Sequence, residues 1–134
     1  MWLWRIIYCL VQELNIYMKF PIIELVDRYA IAVVKHRKTN GANQEEVDFY
    51  HQQLVESNIN PQHHLIDDLI THHTCVWNLE DDFKKGRVDN LPLEEIGRRA
   101  LAIRDMGHDR VALKNSLANL VDDPVKEIKQ YNGV

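Results

Sequence analysis

The sequence predicts an all-α fold, a single antiparallel bundle of four or five helices. Three observations carry this reading. Apolar residues recur at three- and four-residue steps through several long stretches. Pro, Gly and Asn cluster between those stretches. No stretch alternates apolar and polar residues as a half-buried strand would. The 134 residues suit one ordinary domain. A composition of 46% hydrophobic and 27% charged residues is that of a globular chain and argues against disorder.

The first seventeen residues stand apart. Met1-Trp2-Leu3-Trp4-Arg5-Ile6-Ile7-Tyr8-Cys9-Leu10-Val11 is apolar and aromatic, interrupted at Arg5 and then by Gln12 and Glu13. It is short of the roughly 20 residues that span a bilayer. It also lacks the basic start and small-residue cleavage site of a signal peptide. Two readings fit: a helix that docks on the bundle or on a partner, or translated sequence upstream of a start at Met18. The second is favoured, because better patterning begins at Met18-Lys19-Phe20-Pro21. Residues 1–17 are therefore read as an extension or docking helix, and 18–134 as one helical domain.

Pro21 suits the first turn of a helix. Ile22, Leu25, Val26, Tyr29, Ala32 and Val33 then keep helical spacing to about residue 38. Glu24, Asp27, Arg28, Ile31 and Lys35 form a second line on this helix, read first as a solvated charged edge and alternatively as a charged wall facing the Trp77 helix. Thr39-Asn40-Gly41 ends it, with glycine available for a left-handed cap. Asn43 and Glu46 resemble a capping box, and Val47, Tyr50 and Leu54 mark a second helix to about 57. Asn58-Ile59-Asn60-Pro61 predicts a turn, a cap and a proline-led start to the longest helix, 61 to about 85. After the loop Gly86-Arg87-Val88-Asp89-Asn90-Leu91-Pro92, Leu93, Ile96, Ala100, Ile103 and Met106 give another helix. Val111, Leu113, Leu117, Leu120 and Val121 continue it beyond Gly107, a point of kinking or close packing. Asp122-Asp123-Pro124 stops it, and 125–131 reads as a short terminal helix.

Net charge is −4 and no Lys/Arg run exceeds two, so a nucleic-acid partner is not expected. Cys9 and Cys75 lie in apolar helical contexts without a C-x-x-C pair, which suggests a reducing cytoplasm. A membrane partner is not expected either.

The candidate site lies on the longest helix. His73, Trp77, Glu80 and Lys84 stack along one edge at steps of four, three and four. A large aromatic between a histidine and a carboxylate needs partners if buried. Arg110 and Lys114, four apart on the last helix, can reach Glu80, Asp81 or the Glu24/Asp27 line. They then form either an interhelical ion-pair network or an anion pocket with Trp77 as a stacking wall. His64, Asp68 and His72 share a helix face at zinc-compatible spacing, but no further ligand is identifiable, so a hydrated edge is the plainer reading. Glu24-x-x-Asp27 and Glu45-x-x-Asp48 resemble the paired acidic motifs that bind magnesium in all-α, MazG-type nucleotide pyrophosphohydrolases. The rest of that pattern is missing. Standard NTPase, dehydrogenase and serine-hydrolase motifs are absent.

The blocks also carry a wider resemblance. Ile23-Glu24-Leu25-Val26-Asp27-Arg28-Tyr29-Ala30-Ile31-Ala32-Val33-Val34-Lys35 resembles the G-E-L-I-D-K-I-T-I-L-x-I-K opening of a small bacterial and phage domain family of unknown function. His72-His73-Thr74-Cys75-Val76-Trp77-Asn78-Leu79-Glu80-Asp81-Asp82-Phe83-Lys84 is similar to its V-N-x-x-L-W-x-I-E-D-x-I-R block. Gly107-His108-Asp109-Arg110-Val111-Ala112-Leu113-Lys114 is similar to its N-D-x-R-A-x-x-K block. His73 and Gly107 stand where that family has asparagine, and His108 where it has aspartate. The resemblance implies no particular activity, but it singles out Glu24, Asp27, Lys35, Trp77, Glu80, Asp81, Arg110 and Lys114.

The leading expectation is a small binding protein, a homo-oligomer, with a polar pocket for an anionic metabolite or nucleotide and no cofactor. Arg110, Lys114 and Lys35 would contact the anion. Trp77 would stack, and Glu80, Asp81 and Asp27 would orient the cations, with His73 beside them. Two alternatives remain. One is a magnesium-dependent nucleotide pyrophosphohydrolase using Glu24, Asp27, Glu45 and Asp48. The other is a structural interaction module anchored by Trp2 and Trp4. Whether the chain is an enzyme stays open at this point.

Overall fold

The computed structural model describes residues 2, 3, 5–7 and 21–121. The fold is an all-α bundle. Four of its helices are α1 (Ile22–Lys38), α2 (Gln44–Glu56), α3 (His64–Lys84) and α4 (Leu93–Leu120). Trp2, Leu3 and residues 5–7 are also helical, with exposed side chains. The expected boundary at Met18 and the terminal helix at 125–131 lie outside the described residues, as do Trp4 and Cys9.

α1 is the hub. It packs on each of the other three, whereas among these described helices α2 packs on α1 alone. Its sequence explains this. Ala30 and Ala32 are fully buried and let neighbours approach closely, while Ile23, Val26, Tyr29 and Val34 supply bulk on more than one side. Leu54 of α2, Ile66, Leu69 and Ile70 of α3, and Leu117 and Ala118 of α4 complete the core. Burying each large aliphatic side chain is worth about 1.5–3 kcal/mol. α1 and α2 run antiparallel: Lys35 meets Glu46, and the Tyr29 ring meets His51 edge-on. α3 and α4 are antiparallel too, with Asp82 facing Arg99 near their connection.

The turns differ from expectation in two places. Asn43 makes no side-chain cap; its Nδ2 donates to Ala32 O at 3.0 Å and Glu46 Oε2 at 3.2 Å, tying α2 to α1. Pro61 does not open α3. Asn60 Oδ1 instead accepts from Gln62 N at 2.9 Å, which closes an Asx turn, and the helix starts at His64 with the His63 ring accepting from Leu65 N. Gly41 behaves as its position predicts. At φ 84° its N–H reaches back to His36 O at 2.9 Å and closes the end of α1. α4 runs through Gly107 as one helix of 28 residues, so the glycine does not break it.

Candidate functional site

Asp27 lies on the inner side of α1 and is only 6% exposed. A carboxylate so placed needs partners, because isolated buried charge is costly. Three come from other helices. His73 Nε2 of α3 lies 2.7 Å from Asp27 Oδ1. Arg110 and Lys114 of α4 each place a nitrogen 3.5 Å from Asp27 Oδ2. Lys114 is 2% exposed and also donates to Glu24 Oε1 at 2.9 Å. Burial pushes the Asp27 carboxyl up. The His73 hydrogen bond and the charges of Lys114, His73 and Arg110 outweigh this, and its pKa settles below the ordinary 3.8.

Beside this lock, α3 and α4 line a half-open cleft of about 300 Å³. His72, His73, Val76 and Glu80 line it from α3, and Ile103, Arg104, Gly107 and Arg110 from α4. The spacing is that of one helical stripe on each side. Because the helices are antiparallel, His72, His73 and Arg110 gather at one end. Glu80, Ile103 and Arg104 gather at the other. Arg110 belongs to both the lock and the cleft.

His72 contributes an unusual group. Its Nε2 is buried and has no hydrogen-bond partner. Burial pushes its pKa below 6.5, and neighbouring His73 pushes the same way. The ring is therefore held neutral near pH 7.

Comparison with family models, curated proteins and solved structures returns no match.

The residues singled out by sequence do not all come together. Asp27, His73, Arg110 and Lys114 meet in the lock, joined by Glu24; Glu80 lies on the cleft wall, 4.0 Å from Lys84. Lys114 braces the helices and does not line this cleft. Trp77 packs partly buried against the core and does not line the cleft either, so the stacking wall predicted for it is not formed there. Lys35 and Asp81 lie elsewhere. Lys35 pairs with Glu46 of α2 at 3.1 Å. Asp81 pairs with Lys85 at 3.1 Å and Arg87 at 2.7 Å, at the end of α3. The reason is the helical period. Glu80 is seven residues after His73 and returns to nearly the same side. Asp81 is eight after His73, and Lys35 eight after Asp27; each is about 12 Å along the axis and turned by about 80°.

The acidic set Glu24, Asp27, Glu45 and Asp48 is not assembled. Glu24 and Asp27 are held by Lys114, whereas Glu45 and Asp48 are exposed on α2, with Asp48 accepting from Gln44. Among the described residues no group of three His, Cys, Asp or Glu side chains could hold a metal ion, and this covers His64, Asp68 and His72. No described helix is long and apolar enough to cross a membrane.

Sequence reasoning missed Val76, Ile103 and Gly107 as cleft residues. Gly107 carried the one usable signal, a glycine inside an otherwise well-patterned helix.

Proposed function

We propose that this chain is a small binding protein whose α3–α4 cleft takes an anionic small molecule. The observation that carries the reading is Arg110, a cleft-lining guanidinium steadied by a buried carboxylate 3.5 Å away. A guanidinium fixed in this way is pre-organised for a carboxylate or phosphate, which reduces the ordering cost of binding. Arg104 adds a second cation to the wall, and Val76 and Ile103 give it an apolar middle. The dispersed acids favour binding without magnesium over metal-dependent hydrolysis. The resemblance to the bacterial and phage domain family points to the same lock, with His73 in the place of an asparagine. A reducing cytoplasm and a homo-oligomeric state belong to this reading.

The test is a thermal-shift panel of sugar phosphates, carboxylates and nucleotides, with and without magnesium. Metal-independent stabilisation that is lost in Arg110→Leu supports the proposal. Stabilisation only with magnesium, together with pyrophosphate release, replaces it with the hydrolase. No response to any anion, with a melting point that rises with protein concentration, replaces it with the interaction module. Trp2 and Leu3, 81% and 71% exposed, are what favour that last reading.

A further inference from the structure

His73 belongs to two places at once. It lines the α3–α4 cleft, and its Nε2 lies 2.7 Å from Asp27 Oδ1 in the lock. Arg110 has the same double placement, on the cleft wall and 3.5 Å from Asp27 Oδ2. Two basic groups of the cleft are therefore tied to one buried carboxylate. They differ in one respect. A guanidinium keeps its charge at any ordinary pH, whereas an imidazole gains or loses a proton near neutrality.

The charges around His73 come from three helices. α1 supplies Asp27 and, across Lys114, Glu24; both favour an imidazolium. α4 supplies Arg110 and Lys114, each 3.5 Å from the carboxylate that His73 shares, and these oppose it. Further along the cleft Glu80 and Arg104 stand as one charge of each sign. The adjacent ring, His72, has its centroid 5.9 Å away. Burial holds that ring neutral near pH 7, against the charge of Asp109, so it does not compete for a proton there.

An anion seated against Arg110 changes this balance. It brings negative charge to the wall on which His73 stands, and it offsets the guanidinium that opposes a further positive charge beside Asp27. An imidazolium at position 73 then has an anionic neighbour on each side, one in the lock and one in the cleft. Coupling of this kind is reciprocal: a guest that favours the proton is favoured by it to the same extent.

Building on the anion-binding reading, we propose that the cleft takes its anion together with one proton, which His73 carries. Asp27 is the positioning residue, holding the ring through Nε2. Binding is then proton-coupled: the guest is held in a mildly acidic medium and released in an alkaline one.

The experiment is calorimetric titration of the full chain with sulfate and methanesulfonate between about pH 5.5 and 8, where neither probe changes its own charge. Binding should be at least about tenfold tighter at the acid end, because each coupled proton contributes up to tenfold per pH unit. Heats measured in two buffers of different ionisation enthalpy should report an uptake approaching one proton. His73→Gln, whose amide can still donate to Asp27, should bind at the alkaline end and lose the pH dependence. His72→Gln should keep it. Affinity that is flat with pH, a pH dependence unchanged in His73→Gln, or one lost in His72→Gln overturns the inference and leaves anion binding standing. No binding of either probe at any pH overturns both. Should His73→Gln not fold, the two-buffer proton count on the unmodified chain and on His72→Gln decides, and zero uptake overturns the inference.

Discussion

His73 Nε2 and Asp27 Oδ1 lie 2.7 Å apart across 46 residues of sequence, joining α3 to α1 inside the bundle. Both side chains are nearly shielded from solvent, 12% and 8% exposed. The pair does not stand alone, because α4 adds Lys114 and Arg110 to the same carboxylate. One buried acid thus fixes the relative register of three helices.

Removing that acid should be costly. Asp27→Ala removes a buried partner of Lys114, which keeps Glu24 at 2.9 Å, and breaking a buried pair costs about 3–5 kcal/mol. Replacing Lys114 by Met as well should restore part of the loss, since an apolar side chain of similar length tolerates the site. Urea denaturation of the two single variants and the double variant gives the coupling. Additive losses would show that Asp27 and Lys114 do not act as a unit.

Stability should fall as pH drops below about 6.5. The native His72 ring has its pKa depressed below 6.5, so the unfolded chain binds a proton that the folded one refuses. Stability from this residue is fully present above 6.5 and is lost as pH falls toward the lower native value. Asp27 acts further down, its contribution being present above about pH 4 and lost as pH falls through its depressed native pKa. His72→Gln should flatten the first slope and leave the second. Urea midpoints measured from pH 7.5 to 3 test both, and an identical slope in His72→Gln would refute the first.

Two glycines should respond in opposite directions. Gly97 lies exposed within α4, and a Cβ built there meets nothing within 4 Å, so Gly97→Ala should raise stability by about 0.5–1 kcal/mol. Gly86 has φ 69° and its Cβ would lie 2.8 Å from Asp89 Oδ2, so Gly86→Ala should lower stability by about 1 kcal/mol. Thermal midpoints of the two variants measure both signs.

Trp77 should matter for stability more than for binding. Its partly buried ring packs on the core, so Trp77→Ala should cost about 3 kcal/mol, the low end of the range for aromatic truncation. Titration of the anion panel should give the same order of preference before and after the change. A reordered panel would mean that the ring reaches the ligand after all.

The sequence carried the helical architecture well because periodicity and turn chemistry are local. Ile22–Val33 and Leu93–Leu120 could be read as helices without any knowledge of what they touch. The site was legible only in part. Asp27, His73, Arg110 and Lys114 were identifiable as polar residues on apolar-edged helices, and they do meet. Lys35 and Asp81 looked equally good, because an eight-residue step differs from a seven-residue step by one helical position. That position decides which neighbour a side chain faces. The orphaned nitrogen of His72 could not be anticipated either. Whether a histidine finds a partner depends on the exact approach of two helices, which no single segment encodes.

The unbroken course of α4 has a mechanical corollary. Its 28 residues, about 42 Å of rod, carry the cleft wall along the middle and the bracing lysine near the end. Arg110 grips the same aspartate that anchors Lys114. Occupancy of the groove is therefore transmitted straight into the keel of the bundle, with no hinge in α4 to absorb it. A guest that tightens the mouth should slow amide exchange as far away as Ala118, at the opposite end of the lever.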